Sequence, residues 1–183
     1  MHSIFYINSY RLTISDLDNI ISNKLKIKLS VETVSKIVSC RLYLDYKLAT
    51  DLNPIYRINT GFGLLCDIKI SDSNLSQLQE NLVKSHACCC GEIIPNEVGK
   101  IMLLLKIKSL SLGYSGVHLD TVNRLIDFYN NDILPVIYTQ GSLGASGDLA
   151  PLAHLALPLI GEGKVWYKGV QTPAAEVLNR FDW

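Results

Sequence analysis

The chain has 183 residues, 48% apolar and 19% charged, with 17 basic against 17 acidic side chains and a formal net charge of zero. This is ordinary globular composition, enough for one good core over a single domain spanning 1–183, and the charge balance weighs against a nucleic-acid face. The opening residues lack a basic stretch followed by a long apolar one, and the longest apolar run, Ile101 to Leu105, is too short to span a bilayer; the expected location is the cytoplasm.

In chain order, residues 1–10 read as extended, and Ser15 is placed to cap a short helix over 16–23. A longer helix follows Ser30, with Val31, Val34, Val38, Leu42 and Leu48 at roughly helical spacing. It must end before Asn53-Pro54, since proline disfavours helix at the preceding residue. Residues 53–74 read as a loop. The next helix starts near Ser73 with Leu75, Leu78, Leu82 and Val83 on one face and His86 continuing it. Pro95 opens a third helix through Leu112, stopped by Gly113. A fourth carries Leu119, Val122, Leu125, Ile126 and Tyr129. Residues 133–140 are expected to be extended. An alanine- and leucine-rich helix covers about 148–160, and a hairpin over 164–171 turns at Lys168-Gly169. Thr172-Pro173 has the chemistry of one more helix start. The fold class is mainly α, with a short extended N-terminus and a small β-hairpin.

Two clusters invite chemistry. The cysteines are Cys40, Cys66, Cys88, Cys89 and Cys90. Three adjacent side chains point in different directions and cannot together close a tetrahedral zinc site, so no metal is expected and the thiols read as buried or semi-buried groups in a reducing cytosol. The glycines of 141–147 are spaced G-x-x-G-x-x-G, which is neither the dinucleotide fingerprint nor the P-loop. No nucleotide is expected either. Taken alone, the run is a tight turn that lets two helices approach.

The longer stretch GSLGASGDLAPLAHLALPLIGEG, residues 141–163, resembles the signature of the aromatic amino acid ammonia-lyases and related aminomutases almost letter for letter. Two further stretches resemble the same family in the same order: Tyr56-Arg57-Ile58-Asn59-Thr60-Gly61-Phe62-Gly63 and 78–87, LQENLVKSHA. The resemblance runs from about residue 54 to 165. It implies that Ala145-Ser146-Gly147 cyclises by itself into a methylidene-imidazolone. The amide nitrogen of Gly147 attacks the carbonyl carbon of Ala145, a contraction a Cβ would obstruct, and Ser146 loses its hydroxyl as water. Asp148 would assist the dehydration or cap the following helix.

The same resemblance implies that Tyr56 is the base that removes a β-proton from the substrate, its pKa lowered from about 10 by its surroundings. Asn59, Thr60, Gly61, Phe62 and Gly63 would form the loop that presents Tyr56 and closes over the substrate. His86, within Ser85-His86-Ala87, would face the substrate's ring and favours histidine over tyrosine. His154 is expected only to pack or hydrogen-bond, and no chemistry is assigned to it. The implied reaction is non-oxidative elimination of ammonia from L-histidine, giving trans-urocanate. The alternatives are a tyrosine ammonia-lyase or aminomutase, and an inactive truncated relative that serves only as an interaction module.

This sequence departs from the family pattern at three points. Arg57 stands where the family has glycine, and the residue type admits both a strained loop and a cation that tunes Tyr56. Cys88-Cys89-Cys90 replaces a small, glycine-containing stretch. Family members are more than twice as long, and their second half supplies the central helical bundle, further substrate-holding side chains and the contacts of a homotetramer. The implied partners are therefore an aromatic amino acid, further copies of the chain or a complementary C-terminal half.

Overall fold

A computed structural model describes residues 3–51, 53, 55, 58–60, 68 and 70–183, apart from the side chain of Asp72. The chain opens with a β-α-β crossover: β1 (Ile4–Ile7), α1 (Ile14–Ser22) and β2 (Lys26–Leu29), the two strands pairing in parallel from Ile4↔Lys26 to Ile7↔Leu29. Thr13, not Ser15, caps α1, because its hydroxyl accepts from the amide of Asp16 while the Asp16 carboxylate accepts from the amide of Thr13. β2 was not expected from the sequence. Its outer edge is closed by a side chain from 103 residues away: Asn130 accepts from the Ile27 amide and donates to the Ile27 carbonyl, both at 2.9 Å.

α2 (Val31–Thr50) starts at Ser30 as expected, but only part of its apolar stripe faces inward, Val34 packing against the core and Leu48 half-buried. Val31 and Leu42 are 88% and 62% exposed, while Thr33 and Ile37 are buried. The Thr33 hydroxyl donates to the Ile7 carbonyl, so a polar side chain holds the inward face. α3 (Asp72–His86) does present its expected face, with Leu75, Leu78, Leu82, Val83 and His86 half-buried.

β3 (Cys90–Ile93), also unexpected, leads to α4 (Asn96–Leu110). Pro95 takes the N-cap position of α4 rather than its first turn. α4 packs on α5 (Leu119–Asn130), and Leu103, Leu104, Ile107, Val122, Leu125 and Phe128 form the densest part of the core. β4 (Leu134–Pro135) and β5 (Tyr138–Gln140) realise the expected extended stretch in two sheets. β5 pairs antiparallel with β3, whereas β4 joins a three-stranded antiparallel sheet with β6 (Lys164–Tyr167) and β7 (Val170–Pro173). The β6–β7 turn is at Lys168-Gly169, as expected, with both residues left-handed at φ 52° and 78°.

α6 (Leu149–Ala156) gives way to a 3₁₀ turn over Leu157–Ile160, so the alanine-rich helix is shorter than its sequence suggests. Pro158 lies within that turn, and its ring and missing N–H disfavour a continued α-helix. Thr172-Pro173 belongs to β7, and α7 (Ala174–Arg180) begins one residue later than expected, with no side-chain cap. No helix among the described residues is long and apolar enough to cross a membrane.

Candidate active site

The glycine-rich segment is a tight turn between β5 and α6. The amide of Ser146 donates to the Leu143 carbonyl at 2.9 Å, and that of Gly147 donates to the Gly144 carbonyl at 3.1 Å, which makes Gly144–Ser146 a 3₁₀ turn. The Ser146 hydroxyl donates to the Leu143 carbonyl at 2.7 Å. Gly147 (φ 83°, ψ 31°) and Asp148 (φ 56°, ψ 43°) are both left-handed. For Asp148, which has a Cβ, this conformation costs about 1–3 kcal/mol and so needs support from its surroundings. Asp148 occupies the N-cap position of α6 without capping it; its carboxylate instead accepts a hydrogen bond from the Ser142 hydroxyl.

Residues 141–148 are all exposed. An added Cβ on Gly144 or Gly147 would meet no heavy atom of the described residues within 4 Å. The residue set and this space fit a ring built from Ala145, Ser146 and Gly147, since no described residue crowds the face on which it would form.

The base of the turn is tightly held. At Gly141 (φ 134°) an added Cβ would sit 2.7 Å from the Cys89 Sγ, so only glycine allows this approach. The Cys89 amide donates to His154 Nε2 at 3.1 Å, which ties the segment after α3 to the middle of α6. An imidazole nitrogen that accepts is unprotonated, and burial pushes the His154 pKa below its usual value, favouring the same neutral form. Tyr138 of β5 packs edge-on against His154, with ring centroids 5.3 Å apart. His154 thus joins α6, β5 and the cysteine segment, within the packing role expected of it.

His86 is the last residue of α3, and its Nδ1–H donates to the Leu82 carbonyl at 2.7 Å, which orients the ring. Ala87 follows in an inverse γ-turn (φ −79°, ψ 60°), with the Cys88 amide donating to the His86 carbonyl at 2.8 Å. This turn swings the chain into β3, beside the strand that leads to the motif. Lys84 bridges Glu80 and Glu162 at 2.6 and 2.8 Å, tying α3 to the residues that follow α6.

Asn59 and Thr60 are buried, at 4% and 0% exposure. The Asn59 side chain accepts from the Ile55 amide at 2.6 Å, and its carbonyl accepts from the Ile70 amide at 2.8 Å. Gln79 of α3 donates to the Ile58 carbonyl at 3.4 Å, which places Ile58 beside the helix that carries His86. Tyr56, Arg57, Gly61, Phe62 and Gly63 lie outside the described residues. Among the described residues, no three His, Cys, Asp or Glu side chains gather as a metal-ion site. Ser142 and the Cys89–His154 clasp were not singled out from the sequence, because no spacing rule marks a serine or an amide donor that only the folded turn brings into reach.

A tight, open Ala-Ser-Gly turn backed by two packed helices defines a class, and the family model agrees. Residues 12–183 match the model for aromatic amino acid lyases, so the chain belongs to that family. It is 43% identical over 174 residues to the histidine ammonia-lyase of Geobacillus thermodenitrificans, a match covering 95% of this chain and 34% of the relative. Among solved structures it resembles the histidine ammonia-lyase of Trypanosoma cruzi (TM-score 0.86, 33% identity, 98% of this chain and 34% of that one). It also resembles the phenylalanine aminomutase of Pantoea agglomerans (TM-score 0.88, 28% identity, 97% and 34%). The chain spans about a third of the length of these relatives.

Proposed function

We propose that this chain carries the motif-bearing part of a histidine ammonia-lyase, which eliminates ammonia from L-histidine to give trans-urocanate. The observation that carries the reading is the open Ala145-Ser146-Gly147 turn, in a chain 43% identical to a histidine ammonia-lyase. Maturation starts from the observed turn. The Gly147 nitrogen leaves the Gly144 carbonyl and attacks the carbonyl carbon of Ala145, whose oxygen departs as one water, and Ser146 loses its hydroxyl as a second. Asp148, whose carboxylate accepts from the Ser142 hydroxyl, assists this dehydration. The mature methylidene-imidazolone supplies an electrophile that turns the substrate's amine into a leaving group.

Tyr56 removes the β-proton, and the segment Asn59, Thr60, Gly61, Phe62 and Gly63 presents it. His86, oriented by Leu82, positions the substrate ring. Catalysis needs near-attack geometry, and a misplacement of about 1 Å can cost about 10²-fold. The remaining substrate-holding groups come from a complementary segment or further copies of the chain, in a tetramer. Free thiols at Cys40, Cys88, Cys89 and Cys90 suit a reducing, cytoplasmic setting. A tyrosine-specific lyase or an aminomutase is the second reading, favoured by the likeness to the Pantoea enzyme. The third is an inactive interaction module.

A chimera of this chain with the remaining two thirds of the Geobacillus relative separates these readings. Urocanate release from L-histidine, lost in Ser146→Ala, is the expected result. Preferential turnover of tyrosine would favour the second reading, and a folded chimera inactive on both substrates would overturn the first. The 183-residue chain by itself is expected to show no turnover. Steady urocanate release by the monodisperse chain would show that no complementary segment is needed.

A further inference from the structure

We propose that Cys88 and Cys90 form a redox-sensitive dithiol whose closure into a disulfide loosens the seat of the 141–148 turn. The bond itself depends only on the local geometry; its consequence for catalysis rests on the function proposed above.

The three thiols differ in setting. Cys88 and Cys90 are exposed, while Cys89 is half-buried. The chain leaves the γ-turn at Ala87 and enters β3 at Cys90, and alternation along an extended segment puts the outer two side chains on one face and Cys89 on the other. Cys89 is also the pinned residue: its amide is held by His154 and its side chain lies against Gly141. Burial, reinforced by the neighbouring thiols, pushes the Cys89 thiol up, so it is the poorest nucleophile in a segment whose outer members face solvent. Cys90 pairs with Gln140 in the β3–β5 ladder, and its thiol lies 3.7 Å from the Gln140 side-chain oxygen, one residue before the turn begins.

Residues two apart in an extended chain have Cα atoms roughly 6.6 Å apart. That is near the upper end of the span a disulfide bridges, about 4.4–6.8 Å, so closing the bond requires the backbone to buckle at Cys89. The ladder already has a register shift between Cys90 and Ile93, and Gly91 is left-handed at φ 84°, so yielding is easiest here. Buckling at Cys89 pulls its amide away from His154 and its side chain away from Gly141. These are the two contacts that seat the turn.

The oxidant is hydrogen peroxide. One thiolate attacks the O–O bond, giving a sulfenic acid and releasing hydroxide. The second thiol attacks that sulfur, forming the S–S bond and expelling a second hydroxide. With the two thiol protons, the products are one disulfide and two waters, the sulfurs having lost two electrons to the peroxide.

The test treats the folded 183-residue chain with hydrogen peroxide, traps remaining thiols by alkylation and maps the products by mass spectrometry. Expected is an intrachain bridge that dithiothreitol reverses, that survives Cys89→Ser, and that Cys88→Ser and Cys90→Ser each abolish. These changes keep near-isosteric side chains, two of them at exposed positions. In the oxidised form the Cys89 amide is expected to exchange hydrogen at least about tenfold faster. Overturning results are three: thiols that stay reduced, a bridge that involves Cys89 or a second chain, or an oxidised form whose Cys89 amide exchanges no faster. Ser146→Ala, which cannot form the prosthetic group, should close the same bridge. A normal bridge in a wild-type chain of full translated mass would therefore break the functional reading alone.

Discussion

The α4–α5 core and the 141–148 turn are built on opposite plans. Leu103, Leu104, Val122 and Phe128 are fully buried, and their positions follow from apolar spacing along two helices. The turn has no buried side chain, carries two successive left-handed residues, and is held from below through Cys89, Gly141 and His154. Stability therefore resides in the first region, and the proposed chemistry in the second. A pre-bent, uncrowded turn on a rigid base suits a reaction in which the backbone attacks itself, since a buried turn would have to displace its neighbours.

Substitutions should separate the two regions by magnitude. Phe128→Ala, in the core, should cost about 3–5 kcal/mol in urea unfolding, because the cavity adds to the lost transfer energy. A cost under about 1 kcal/mol would mean that the core is looser than its burial implies. His154→Ala should cost about 1–3 kcal/mol by leaving the Cys89 amide without its acceptor.

His154 should also make stability depend on pH. Its folded pKa lies below the usual 6.5, so the unfolded chain binds more protons than the folded one. The His154 contribution is then complete above about pH 6.5 and is lost as pH falls through that value towards the folded pKa. His154→Gln keeps an acceptor but does not titrate, and should flatten that slope; an unchanged slope would assign it to other groups.

Tyr129→Phe tests the core from the other side. The Tyr129 hydroxyl is buried with no hydrogen-bond partner among the described residues, and burial pushes its pKa up to about 12. Removing the hydroxyl should be neutral or stabilising by about 1 kcal/mol in the same unfolding assay. Smallest of all, Ser146→Ala should change stability by no more than about 0.5 kcal/mol, since the side chain is exposed.

The helices were legible where burial and periodicity agree. α3 and α5 present the faces that the spacing of their leucines and valines indicates. α2 misleads in part: of its stripe, Val31, Val38 and Leu42 are exposed and Val34 packs inward, while Thr33 finds a backbone acceptor inside. β2 and β3 are four residues each; β2 alternates Lys26-Ile27-Lys28-Leu29 over too short a run to stand out beside its helical neighbours, and β3 has no such alternation. Both are defined by partners far along the chain, β1 with Asn130 and β5. In the candidate site, the tight turn over 141–148 and the place of His86 on the half-buried face of α3 could be read, because residue type and order carry the signal. The supports could not, because a Cys89 amide meeting His154, or a Ser142 hydroxyl meeting Asp148, exists only after β3 and β5 pair and the chain turns.

The most direct test of the central claim is the intact mass of the folded 183-residue chain, measured beside Ser146→Ala. If the open turn cyclises, the wild-type chain will be lighter than its translated sequence by two water molecules, and Ser146→Ala will have its full translated mass. A well-folded wild-type chain of full translated mass would contradict the claim that Ala145, Ser146 and Gly147 build their own prosthetic group.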